Sequence, residues 1–110
     1  MNKLKMTLLG LTSLALTSTA AFALDDAGRE TLLKDSKCEK CHSVDKKKDG
    51  PAYKTTATKY KGKADAEKKL ITHLTTGPEI EVDGEKENHV KIKTQNEADI
   101  KAVIAWILAQ

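Results

Sequence analysis

Methionine is the first absence. After Met6 the 110-residue chain contains none, so no thioether sulfur from residues 24–110 is available to a soft metal. Aromatics are scarce, at one Phe, one Trp and two Tyr. A core built from protein alone would have to be aliphatic and modest. The two prolines and six glycines exclude a Pro/Gly-rich linker or a low-complexity chain. Two cysteines are too few for a disulfide framework. Strong charge is missing as well: residues 24–110 carry 17 basic against 16 acidic side chains. Such a balance excludes general nucleic-acid binding, which favours a markedly basic domain.

The one long stretch without charge is at the start. Lys3 and Lys5 precede Met6–Ala23, which is rich in Leu, Ala, Ser and Thr and ends in Ala21-Phe22-Ala23. A basic head, a short apolar run and a small-x-small site predict a cleaved signal peptide over 1–23. At about 18 residues the run is near the lower edge for a spanning helix, and its hydroxyl content argues further against an anchor. The expectation is export to the periplasm, a single domain over 24–110, and no membrane span after cleavage. A domain of that size commonly needs a staple such as a metal or a cross-link.

What is present is mostly helical in pattern. Asp25 or Asp26 can cap a first helix running to about Lys37, with Leu32 and Leu33 inward. Gly50-Pro51 ends a polar loop. A short helix is expected over 52–60, with Tyr53, Ala57 and Tyr60 at helical spacing. A third helix is expected over 64–75, closed by Gly77-Pro78. Residues 79–93 change character: Glu79-Ile80-Glu81-Val82 alternates, Asp83-Gly84 signals a tight turn, and Val90 and Ile92 alternate again. A short hairpin or an extended loop fits. Thr94-x-x-Glu97 reads as a capping box for a last helix with an Ile100, Val103, Ile104, Ile107, Leu108 stripe.

The chemistry is concentrated in Cys38-Glu39-Lys40-Cys41-His42. Two thiols three residues apart can reach the two vinyl groups on one porphyrin edge. The histidine that follows then sits under the iron. A bare Cys-x-x-Cys would also suit a redox dithiol, but that wants a βαβ context, and strand patterning is almost absent. A zinc site would need about four ligands, with only these cysteines and three histidines to choose from. A disulfide between Cys38 and Cys41 would close too short a loop to stabilise much. Covalent haem c with one iron is therefore the expected cofactor, with His42 as a metal ligand. His42 needs its other ring nitrogen held, and a carbonyl in the Gly50-Pro51 turn is a plausible acceptor. Ser36 and Ser43 read as local turn residues.

These residues, with Gly50-Pro51-Ala52-Tyr53-Lys54, Lys59-Tyr60-Lys61-Gly62, Leu70 to Gly77 and Ala105-Trp106-Ile107-Leu108, make the chain resemble the small class I bacterial cytochromes c of the c-551/c-552 kind. The resemblance spans about 60 to 70 residues. It implies an all-α cytochrome c fold, four or five helices around one covalent haem, a Pro51 carbonyl bonded to His42, and an electron-carrier role. It also implies a place for His73 near a haem propionate. That family takes a distal methionine from the loop before its last helix, and this chain departs from it there. His89 lies 17 residues before Trp106, close to the missing methionine's place, and imidazole is a good iron ligand. His89 is thus the expected second metal ligand. The alternatives are a vacant or water-filled site, His73, or a lysine.

Charge is unevenly placed. Residues 37–69 hold 11 lysines against 5 acids, and residues 79–99 hold 7 acids against 3 lysines. A lysine rim would steer an acidic redox partner protein; the alternative is an ordinary solvated surface. No nucleophile-base-orienter set suggests an enzyme. The leading expectation is a monomeric periplasmic carrier of single electrons. The others are a gas-binding or sensing haem protein with a labile sixth site, and a cytochrome subunit of a periplasmic oxidoreductase.

Overall fold

The computed structural model describes residues 24–110. The export signal expected over 1–23 lies outside the described residues. Five helices and one hairpin follow in order. They are α1 (Asp26–Asp35), α2 (Cys38–Cys41), α3 (Tyr53–Tyr60), α4 (Ala66–Thr76), β1 (Glu79–Val82), β2 (Glu85–Asn88) and α5 (Glu97–Leu108). None of the described helices is long and apolar enough to cross a membrane.

α1 begins where an Asp side chain can satisfy a free amide: Asp25 Oδ1 accepts the Gly28 N–H at 2.7 Å. It buries Leu32 and Leu33. The chain then turns sharply at Lys37, which takes a left-handed φ of 58°. That turn starts α2, a single turn made of the Cys-Glu-Lys-Cys run itself. Residues 64–65 stay outside α4, which ends on left-handed Gly77.

The hairpin alternative for 79–93 is the one adopted, but over fewer residues. β1 and β2 pair antiparallel, Glu79 opposite Asn88 and Val82 opposite Glu85, across the Asp83-Gly84 turn. β2 is exposed along its length. Val90 and Ile92 lie beyond it rather than in a strand: Val90 is exposed, while Ile92 joins the core. The alternation there reflects one anchored side chain in an extended segment, not strand pairing.

The capping box expected at Thr94 is a second correction. Asn96 caps α5, its Oδ1 accepting from Ala98 and Asp99. Thr94 instead accepts the Asn96 N–H through Oγ1. Asn is at least as good a cap as Thr, and it stands two residues nearer the apolar stripe.

That stripe makes the core. Val103 and Ile104 are each 1% exposed, and Ile100 and Ile107 are buried beside Leu32, Leu33, Tyr53 and Ile92. α5 packs on α1, α3 and α4. Each such aliphatic side chain contributes about 1.5–3 kcal/mol through burial. Leu70, Ile71 and Leu74 of α4 are only partly buried against this core.

Candidate functional site

The site is assembled from three segments. α2 brings the first. Cys38 and Cys41 sit at its two ends, half-buried and as free thiols, so they form no disulfide with each other. Burial pushes the Cys38 thiol up, which favours its protonated form.

His42 follows at once in extended backbone, its N–H still bonded to Cys38 O at 2.9 Å. The loop after it folds back: Gly50 N donates to Cys41 O at 2.8 Å, and Tyr53 N to Ser43 O at 2.9 Å. This brings Pro51 O to 2.7 Å from His42 Nδ1. A carbonyl can only accept, so Nδ1 is the donor, which leaves Nε2 as the ring nitrogen able to ligate metal. Gly50 lies directly beneath the ring. A Cβ there would come within 2.8 Å of Nδ1 and 2.9 Å of Nε2. Tyr53 stacks on the same ring, centroids 5.4 Å apart and planes inclined 18°, and meets Trp106 edge-on at 5.4 Å. The Tyr53 hydroxyl is buried without a hydrogen-bond partner among the described residues, and burial raises its pKa well beyond the ordinary tyrosine range.

The second segment is α4, which supplies His73. The third is the stretch leaving the hairpin, which supplies His89. The two rings are 4.3 Å apart between centroids, and His89 is also 6.1 Å from His42, planes inclined 49°. Burial is the main cause that pushes both imidazoles down, helped at His73 by nearby His89 and at both by nearby His42. They are therefore neutral near pH 7, the state in which imidazole binds metal. The His89 backbone is held by its N–H to Pro78 O at 2.8 Å. Gly77 allows this close approach, since a Cβ there would fall 2.5 Å from His89 O.

A haem fits these residues. Two uncommitted thiols and an imidazole with one free nitrogen lie on consecutive turns. Across from them, His89 Nδ1 is buried with no hydrogen-bond partner among the described residues, an atom that protein alone leaves unsatisfied. Metal–imidazole bonds are about 2 Å, as at zinc, so a metal held between two rings would set their centres about 6 Å apart. Of the residues singled out from sequence, Cys38, Cys41, His42 and Pro51 form one side, and His73 and His89 the other. Gly50 and Tyr53, which pack on His42, were not anticipated. The polar loop before Pro51 was a signal for a close approach, but only the folded loop shows which residue makes it.

An all-helical fold with a short hairpin, built around a Cys-x-x-Cys-His turn and an opposing loop, defines a small single-haem c-type protein. The comparisons agree. The model of the family described as Cytochrome c matches residues 26–110, and the chain belongs to that family. It is 39% identical over 80 residues to cytochrome c-551 of Allochromatium vinosum, covering 70% of this chain and 80% of that one. Among solved structures it is similar to the class 1 cytochrome MtoD from Sideroxydans lithotrophicus ES-1. The identity is 49% and the TM-score 0.72, over 79% of this chain and 97% of that one. Cytochrome c552 of Nitrosomonas europaea is 33% identical with a TM-score of 0.57, over 72% and 95%. The protein is a monohaem class I cytochrome c, carrying covalent haem c and its iron, and its work is electron transport.

Proposed function

We propose that this cytochrome is a periplasmic carrier that passes single electrons between partner proteins, with its iron held between His42 and His89. When bound, the haem supplies one-electron exchange between ferric and ferrous iron. Cys38 and Cys41 would anchor it as thioethers. His42, held in orientation by Pro51 O and braced by Tyr53, would ligate the iron. His89 would supply the second ligand. The observation that carries this reading is the facing pair of imidazoles at 6.1 Å, in a chain with no methionine among residues 24–110. His73, against His89, flanks the distal ligand and is proposed to contact a propionate, as the resemblance implies.

Imidazole raises the iron potential less than thioether sulfur does. The reading therefore places the potential below that of His/Met relatives. Two protein ligands would leave no coordination position open to a gas or substrate, which favours carriage. Export through the sequence over 1–23 would deliver the chain to the periplasm, as a monomer.

Carbon monoxide added to the reduced protein tests the reading. Two firm ligands predict slow or negligible binding and low-spin spectra in both oxidation states. Rapid, saturable binding would favour a sensing role and remove the carrier proposal.

A further inference from the structure

The loop that presents His89 is pinned by three backbone amides. His89 N donates to Pro78 O at 2.8 Å and Ile92 N to Leu74 O at 2.9 Å. Both acceptors are main-chain carbonyls at the end of α4 and just past it, which any sequence would supply. The third pin is different. Lys93 N donates at 2.9 Å to the side-chain oxygen of Ser36, 57 residues away.

Ser36 stands two residues before Cys38, as the C-cap of α1. It is 1% exposed, the buried polar residue among the described residues. Its local-turn reading is therefore incomplete: the hydroxyl works at long range. Of the three pins, it alone ties the His89 loop to the segment carrying Cys38, Cys41 and His42. It is also the only one that a side-chain substitution can delete.

We propose that Ser36 is a positioning residue for His89, setting how firmly that histidine closes the distal side against external ligands. This rests on the reading of His89 as the second ligand. With the acceptor gone, the Lys93 amide loses its partner in a part-buried setting, a destabilisation borne by the closed loop and relieved when the loop moves out to water. The open fraction rises, and the apparent rate of any ligand that needs the open form rises with it. The loss of one such bond corresponds to roughly a tenfold increase.

The probe is cyanide, added in excess to the ferric, full-length holoprotein, with binding followed by absorption. Ser36→Ala is expected to take up cyanide roughly tenfold faster than the unmutated protein while its resting spectrum stays low-spin. Val103→Ala, which opens the core in α5 and removes none of the three pins, is the stability control and should leave the rate within about twofold. Amide hydrogen exchange in the unmutated protein gives a second reading, with Lys93 expected to be protected like Ile92. An unchanged cyanide rate in Ser36→Ala, an equal rise in Val103→Ala, or fast exchange at Lys93 would each overturn the role of Ser36 and leave the His89 assignment standing. A high-spin resting spectrum in the unmutated protein overturns the His89 assignment and the role of Ser36 with it.

Discussion

His42 and His89 face one another with ring centroids 6.1 Å apart, although 46 residues separate them in sequence. Each is held by its own backbone anchor: Pro51 O on the His42 ring and Pro78 O on the His89 amide. Two independently anchored imidazoles at this spacing lead to the first expectation. His89→Ala should convert a low-spin ferric spectrum to a high-spin one, while His42 and both thioethers keep the haem attached. Absorption and electron paramagnetic resonance would show the change. A mutant that stayed low-spin would point to another distal ligand.

Gly50 should not tolerate a side chain. Its amide is bonded to Cys41 O, so the backbone cannot back away from the His42 ring that a Cβ would strike. Overpacking of this kind costs about 1–3 kcal/mol. Gly50→Ala should lower the holoprotein's stability in urea by that amount. It should also perturb the proximal ligand, visible as a shifted Fe–histidine band in resonance Raman spectra of the reduced, carbon monoxide-free His89→Ala background.

Lys37 sits in the left-handed region at φ 58°, where a Cβ is disfavoured by about 1–2 kcal/mol. Glycine carries no such penalty but loses more chain entropy on folding. Lys37→Gly should therefore stabilise the protein by about 0.5–1 kcal/mol. Urea unfolding would measure it. Unchanged or lower stability would mean that the lysine side chain makes a compensating contact in the holoprotein.

Partner docking should depend on salt. Lys46, Lys47, Lys61 and Lys63 make no ion pair among the described residues, and Lys59 is near enough to lower the His73 pKa. The lysine-rich segment thus reaches the mouth of the site. Electron exchange with an acidic partner should slow steeply as ionic strength rises, because the Debye length shrinks to about 8 Å at physiological salt. Stopped-flow rates across a salt series would check this. A flat profile would remove the steering idea, and a rising one would reverse the sign of the partner.

Much of the architecture was legible because its signals are local. Asp25 caps α1 as expected, Gly77 ends α4, and the Ile/Val stripe of α5 is the core. A helix needs only its own residues to declare its buried face. The errors fell where neighbours decide. Thr94 lost the cap to Asn96 because cap choice depends on where the chain enters the helix. Val90 left the hairpin because two strands this short are held by their turn, not by an apolar face.

The sequence by itself determined the cofactor, since Cys-x-x-Cys-His packs its chemistry into one turn of chain. It also determined that methionine is no distal candidate within residues 24–110. Only the tertiary structure decided what stands opposite His42. His73 and His89 are equally visible as letters, and it is the meeting of α4 with the loop beyond β2 that brings the two together and places one at 6.1 Å from His42. The same holds for Ser36. Its partner is 57 residues away, and spacing along a chain carries no information about a hydrogen bond that exists only once two distant segments have packed together.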